Sequence, residues 1–299
     1  MPRRYVTVDV FTDQAFGGNP LAVVLDAEGL TDAQMQAIAR EFGYSESTFV
    51  LPPRDAANTA RVRIFTPTRE VPFAGHPNVG TAVVLAREWA RAGRSVPGHF
   101  VFEEGAGLVP VALKNHGEVV VAAELRAPER LSIGATVSVA DAADCLGLVA
   151  SDVRVDDHAP CVASVGLPFL IVELASREAL RRASAERSVH ARVLPPIGVD
   201  GVHAYVRGTN AGEWHARMFA PLDAMPEDPA TGSANAAMIA MRAALPNAGE
   251  GERMWLIRQG EDMGRPSRLL GRTLREAGAV TSVHVGGSVV VMMAGVLHV

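Results

Sequence analysis

The chain has almost no cysteine. Two thiols, Cys145 and Cys161, among 299 residues are too few for a disulfide scaffold and point to a reducing, cytoplasmic compartment. An excess of positive charge is also missing. The formal net charge is −5 and the pI is near 6.0, which leaves no electrostatic footprint for nucleic acid. Long apolar runs are absent: stretches such as Val289–Leu297 fall far short of the roughly 20 residues a membrane helix needs. The opening Met-Pro-Arg-Arg leads directly into strand-like alternation, not into the apolar segment of a secretory signal. What is present is 48% hydrophobic and 20% charged, an ordinary globular balance that excludes disorder. The length suits about two domains. The expectation is a soluble cytoplasmic protein with no nucleic-acid or membrane partner.

The sequence repeats itself. Arg63-Ile64-Phe65-Thr66-Pro67 returns as Arg217-Met218-Phe219-Ala220-Pro221, Gly75-His76-Pro77-Asn78 as Gly232-Ser233-Ala234-Asn235, and Val101–Gly105 as Leu256–Gly260. These three pairs keep a nearly constant separation of about 155 residues. Two further matches, Gly18-Asn19-Pro20 with Gly166-Leu167-Pro168 and Gly117–Val121 with Gly287–Val291, hold the same order. Each match is weak alone, but five in one order imply two similar halves that meet near Arg126–Ile133. The domains expected are 1–125 and 126–299, with the final strand free to return to the first. Two copies of one unit imply a pseudo-twofold axis and a cleft between the halves.

Within the first half, Tyr5–Val10 alternates and Leu21–Leu25 is a short apolar strand after a Gly-Gly-Asn-Pro turn. Thr31 with Gln34 forms a capping box, Met35, Ile38, Ala39 and Phe42 hold helical spacing, and Gly43 supplies the stop. Strands follow at Thr48–Leu51 and Arg61–Thr66, then a helix from about Pro77 to Trp89, then three strands. Thr81–Ala86 is apolar on nearly every face, and so is its counterpart Ala236–Leu245 apart from Arg242. A helix apolar all round is buried all round. The fold class is therefore α+β, with two pseudo-symmetric halves, each a mostly antiparallel sheet wrapped around a buried central helix.

Both buried helices start with glycine, at Gly75-His76-Pro77 and Gly232-Ser233. A helix N-terminus carries unpaired N–H groups and about half a positive charge, so it attracts carboxylates and oxyanions. Glycine beside it lets a ligand come close to the backbone. The competing reading is capping, since Ser233 is a favoured N-cap and Pro77 a favoured first helical residue. The duplication and the preceding Glu227-Asp228-Pro229-Ala230-Thr231 favour a small anionic substrate. Neither start has the Gly-Lys-Ser/Thr of a P-loop, and Gly75–Gly80 lacks the middle glycine of a dinucleotide fingerprint.

At these residues the sequence resembles the PhzF (phenazine biosynthesis protein) family, which shares the diaminopimelate epimerase-like fold. The resemblance is carried by Asp9–Thr12 with Phe16-Gly-Gly-Asn-Pro20, Ser45–Phe49, Phe73-Ala-Gly-His-Pro77, Glu227-Asp-Pro-Ala-Thr-Gly-Ser-Ala234 and Gln259–Ser267. It implies a cofactor-free isomerase, usually a homodimer, acting on a small acidic substrate. It also makes Glu46 the proton-transfer residue, with Gly75, His76, Asp228 and Ser233 around the substrate. The proton removed by Glu46 is expected to return from the same glutamate or through a relay of His76 and Asp228, while the helix starts at Gly75 and Gly232 stabilise the developing negative charge. The repeat places the counterpart of Glu46 within Leu194–Gly201, where no glutamate occurs and Asp200 is the only acid. Without the resemblance, the sequence favours reading Glu46 as a lone surface glutamate, and His76 reads as a residue that caps or hydrogen-bonds a helix start.

Cofactor-independent racemases of the same fold use a thiol at each helix start. Here those places hold His76 and Ser233, so Cys145 and Cys161 read as core residues. The nine histidines form no His-x-x-x-His or His-Glu-x-x-His pair. Asp156-Asp157-His158 reads as a polar loop, and no metal is expected. Arg87, Arg91 and Arg94 suit a helix C-terminus, and Arg177–Arg187 reads as a solvated helix face. The leading expectation is an isomerase. The alternatives are a non-catalytic acid-binding or interaction protein, or a racemase or lyase using the same glutamate.

Overall fold

The computed structural model describes residues 2–223 and 225–299, so Met1 of the opening Met-Pro-Arg-Arg lies outside the described residues. The chain divides into two compact units, Met1–Arg126 with Gly286–Val299, and Ala127–Val285.

Unit 1 contains β1 (Pro2–Val10), β2 (Asn19–Val24), α1 (Asp32–Phe42), β3 (Glu46–Leu51), β4 (Ala60–Phe65), β5 (Glu70–Val71), α2 (Gly75–Arg91), β6 (His99–Glu104), β7 (Gly107–His116) and β8 (Val119–Arg126). Thr31 caps α1 in a box with Gln34, and Gly43 ends it at φ 65°, a left-handed conformation that costs glycine nothing. Met35, Ile38 and Ala39 of α1 pack with Val24, Phe49, Leu51 and Phe65 in one apolar cluster.

α2 is buried at every residue from His76 to Ala86. It packs against β1, β2, β3, β7 and β8, which is how a helix apolar all round removes its surface from water. The close approach requires Gly80, where a Cβ would stand 2.5 Å from Leu21 Cδ2 and 2.8 Å from Val10 Cγ2. β1 pairs antiparallel with β2, β3 with β4, β6 with β7 and β7 with β8. Two pairs are parallel, β2 with β3 and β4 with β6, so the sheet is mixed.

Unit 2 contains β9 (Ser132–Thr136), α3 (Val139–Cys145), β10 (Cys161–Ser164), β11 (Pro168–Glu173), α4 (Arg177–Arg182), α5 (Arg187–Val193), β12 (Val202–Arg207), β13 (Glu213–Ala220), β14 (Met225–Asp228), α6 (Gly232–Ala244), β15 (Gly251–Gln259) and β16 (Ser267–Glu276). The last strand, β17 (Ala279–His298), ends in unit 1, where it pairs antiparallel with β1 from Val10↔Val289 to Pro2↔His298. In unit 2 the parallel pairs are β11 with β12 and β13 with β15. α6 is buried at Gly232 and from Ala234 to Ala243, and packs against β10, β11, β12, β15 and β16.

The run Arg177–Arg187 is not one helix face. It breaks into α4 and α5, and its arginines pair outward: Arg177 with Asp262 at 2.9 Å, Arg181 with Glu178 at 2.7 Å and Arg182 with Asp152 at 2.6 Å.

Candidate active site

Both buried helices start earlier than the apolar pattern suggested, with the glycines inside them as first residues. Pro77 is therefore the third residue of α2, where its missing N–H costs no helical bond. Ser233 stands in the first turn of α6, behind Thr231 as N-cap. Neither Ala74, the N-cap of α2, nor Thr231 gives its helix a side-chain capping bond. Capping therefore does not account for His76 or Ser233.

In unit 1, two contacts bring β3 to the start of α2. β2 and β3 pair so that Leu21 lies opposite Glu46, and the same Leu21 rests on Gly80 of α2. Two residues further along β3, Thr48 Oγ1 lies 2.8 Å from Thr81 Oγ1 of α2 in a buried hydrogen bond. The result is that Glu46 Oε2 stands 3.7 Å from His76 Nε2, with the two side chains 16% and 5% exposed. Burial pushes the His76 imidazole down to about 3, so the ring is neutral at physiological pH. The contact is therefore not an ion pair, and it is longer than a hydrogen bond. His76 Nε2 has no hydrogen-bond partner among the described residues. A buried, neutral ring nitrogen next to a carboxyl group suits a third participant, such as a substrate oxygen.

The sequence reading passed over what orients these groups. Ser45 Oγ donates to Asn19 Oδ1 at 3.0 Å, which ties the residue before Glu46 to the buried start of β2. Upstream, the Asp9 carboxylate accepts the Phe16 N–H at 2.8 Å and holds that residue at φ 69°. Phe16 is 75% exposed. A non-glycine residue at positive φ under an exposed aromatic is an unusual expense for a plain turn. The signal lay in Phe16-Gly-Gly-Asn-Pro20, which carries part of the family resemblance but gives Phe16 no role of its own.

In unit 2, Asp228 ends β14 and is buried, with its carboxylate accepting the Thr231 hydroxyl. Gln259 secures this turn. Its Nε2 donates to Asp228 O at 2.8 Å and Thr231 Oγ1 at 3.2 Å, and its Oε1 accepts from Asn235 Nδ2 at 2.7 Å and Thr231 N at 3.2 Å. Gly232 follows at the start of α6, and Ser233 is partly exposed. Ladder register also identifies the counterpart of Glu46. Phe65 and Phe219 match in the repeat and pair with Ser47 and Val202, so Gly201 occupies the place of Glu46 and Asp200 lies one residue earlier, exposed. The carboxylate is not duplicated.

Neither thiol stands at a helix start. Both are buried and unpaired by disulfide, and burial pushes Cys145 up to about 12. Cys161 donates instead to the Met241 sulfur at 3.6 Å. The Asp156-Asp157-His158 loop is not merely solvated. Asp157 pairs with Arg207 and Arg242, and Arg242 also meets the buried Glu173 at 2.9 Å. His158 Nε2 is 2.7 Å from Tyr205 Oη, which donates to Glu173 at 3.2 Å. Among the described residues no group of three His, Cys, Asp or Glu side chains is suited to hold a metal, and no helix is long and apolar enough to cross a membrane.

The sequence profile of the family described as "Phenazine biosynthesis-like protein" matches residues 8–295. An uncharacterized isomerase of Mesorhizobium japonicum is 39% identical over 99% of this chain and 99% of its own. The trans-2,3-dihydro-3-hydroxyanthranilate isomerase of Pseudomonas aeruginosa is 35% identical over 95% of each chain. The crystal structure of the Bacillus anthracis phenazine biosynthesis protein of the PhzF family superposes with a TM-score of 0.89 at 25% identity, covering 100% of both chains.

Proposed function

The chain belongs to the phenazine biosynthesis-like protein family and is an isomerase, and on that premise we propose that it moves a proton between carbon atoms of a small carboxylate-bearing substrate without a cofactor. The observation that carries this reading is the Glu46 carboxyl group 3.7 Å from a buried, neutral His76 at the start of α2. Glu46 breaks a substrate C–H bond by taking its proton. The electron pair left on carbon shifts into an adjacent double bond, and the proton returns from Glu46, directly or through His76, to the carbon at the far end. Nothing is oxidised or reduced, so atoms and electrons balance within the substrate. N–H groups at a helix start stabilise the negative charge that develops.

Asp228, Gly232 and Ser233 are assigned to substrate contact, as the family resemblance implies. The recurrence of the same parallel pairs in the two units supports two copies of one ancestral half. A homodimer is the assembly proposed, and sedimentation equilibrium measures it.

The relatives' names supply the first substrate to try. Incubation with trans-2,3-dihydro-3-hydroxyanthranilate in heavy water should give an isomerised product carrying solvent deuterium on carbon, and E46Q should give neither product nor exchange. If neither this compound nor a panel of small cyclic and amino carboxylates exchanges, the proton-transfer reading is wrong. A binder that had only kept the fold would show that result.

A further inference from the structure

Strand β6 presents Phe100, Phe102 and Glu104 to the same face by the two-residue period of a strand. Both phenylalanines are fully buried, so Glu104 continues an apolar stripe towards the core of unit 1. Neither of its carboxyl oxygens has a hydrogen-bond partner among the described residues, although both are shielded from water. Its neighbour is Asn78 in the first turns of α2, whose Nδ2 donates to Ala74 O at 3.0 Å and whose Oδ1 is also without a partner. The following Gly105 is pressed against the segment that leads into α2, since a Cβ there would stand 3.0 Å from Pro72 Cα.

The corresponding position in unit 2 shows what such a residue does. Trp255, Ile257 and Gln259 form the equivalent buried stripe on β15, and Gln259 fastens the start of α6 through four hydrogen bonds, one of them from Asn235. Asn235 and Asn78 are matching residues of the repeat, and so are Gln259 and Glu104. An amide can donate and accept at once, whereas a carboxylate can only accept. A carboxyl group does both only while it keeps its proton.

We propose that Glu104 is a positioning residue that stays un-ionised at neutral pH and braces the start of α2 through Asn78, as the Gln259 amide braces α6, so that the setting of His76 depends on the Glu104 proton. This rests on the reading of the α2 start as the active site. Burial pushes the Glu104 carboxyl up to about 8, and the Asn78 amide offsets part of that rise. Among the described residues no charged neighbour shifts it. By ladder register its face continues through Ala60 and Val62 on β4 and through Gly107, Val109 and Val111 on β7. Arg61 shares the opposite face with Glu103, and that carboxylate is taken by Arg54 N, Asp55 N and Asn58 Nδ2. Arg63, on the same side as Arg61, is held by Glu70 and Asp32, and His76 of α2 is neutral.

The test follows the His76 ring by NMR from pH 6 to 10 and thermal unfolding of the parent and E104Q over pH 5 to 9. An acid that keeps its proton to a higher pH when folded makes the protein less stable as pH rises from the ordinary carboxylate range to the folded value. The melting temperature of E104Q should therefore gain at least about 2 °C on the parent between pH 5 and 9, and then level off. His76 signals of the parent should shift with a midpoint near 8, and those of E104Q should not. A melting difference that does not change with pH would show that Glu104 titrates normally. His76 signals that stay fixed in the parent, or move alike in both proteins, would make Glu104 a buried acid with no hold on the site. The parent's His76 titration decides the matter even if E104Q fails to fold. Neither readout uses turnover, so failure of this proposal and failure of the isomerase mechanism are separate results.

Discussion

Leu21 touches Gly80 on one side and sits in register with Glu46 on the other. That side chain links the strand bearing Glu46 to the helix bearing His76. Gly80→Ala should test it. Alanine favours a helix by about 1 kcal/mol, but its methyl would stand 2.5 Å from Leu21 and 2.8 Å from Val10, both fully buried. Overpacking of this kind costs about 1–3 kcal/mol, so the net change should be a modest loss in urea unfolding. Turnover should fall by about tenfold or more, because small displacements of catalytic groups are costly. Unchanged turnover with lowered stability would show that the Glu46–His76 spacing is not critical.

Glu46→Gln keeps size and most hydrogen bonds but cannot take a proton. kcat should drop by about 10²–10⁴, the usual contribution of a positioned acid–base group, with KM nearly unchanged. Steady-state kinetics with a turned-over substrate measure both. A variant that retains most of its kcat would move the base elsewhere, with His76 next in line.

Three buried histidines, His76, His190 and His203, should make the protein acid-sensitive. His76 and His203 are both pushed by burial down to about 3. The unfolded chain binds their protons first, near pH 6.5, so their stability contribution is whole above that value and is lost as pH falls towards 3. At pH 4.5 each should have cost about 2–3 kcal/mol. Urea unfolding at pH 7.0 and 4.5 measures the total, to which His190 adds through its own burial, and His76→Asn should make the difference smaller.

The double variant Cys145→Ser, Cys161→Ser should keep turnover within a few-fold of the parent. Both thiols are raised by burial, with Cys145 at about 12, and a protonated thiol is a poor nucleophile or base. A loss of several orders of magnitude in the same assay would restore a thiol mechanism.

Glu173→Gln should destabilise unit 2 by about 3–5 kcal/mol, the range for breaking a buried ion pair from one side. Arg242, Arg207 and the Tyr205 hydroxyl all converge on that carboxylate. Thermal unfolding checks this, and a change below about 1 kcal/mol would show that Asp157 alone suffices for Arg242.

Local rules made much of this fold readable. Thr31, Gln34 and Gly43 mark α1 to the residue, and the all-round apolar Thr81–Ala86 announced a buried helix. The helix starts were readable too, since Gly75 and Gly232 open the two buried helices as their first residues. Asp157 and His158 are in a polar loop as read, but their partners Glu173, Tyr205, Arg207 and Arg242 come from three distant elements. Nothing in a window of neighbouring residues carries such pairings. Arg177–Arg187 broke where no glycine or proline warned of it. Glu104 was passed over because an acid at the end of an apolar alternation looks like the end of the strand, not a buried member of it.

Because α2 is packed on every side from His76 to Ala86, this helix offers an engineer nothing to vary. Most substitutions that change the chemistry there also strain the core, so selection for a new substrate would often discard them for lost stability before reading their activity. Room for adaptation lies at the margin, in the exposed Phe16 and the partly exposed Ser45 and Ser233. A library restricted to those three positions should stay folded and differ in which acid it prefers. One restricted to α2 should mostly yield insoluble chains.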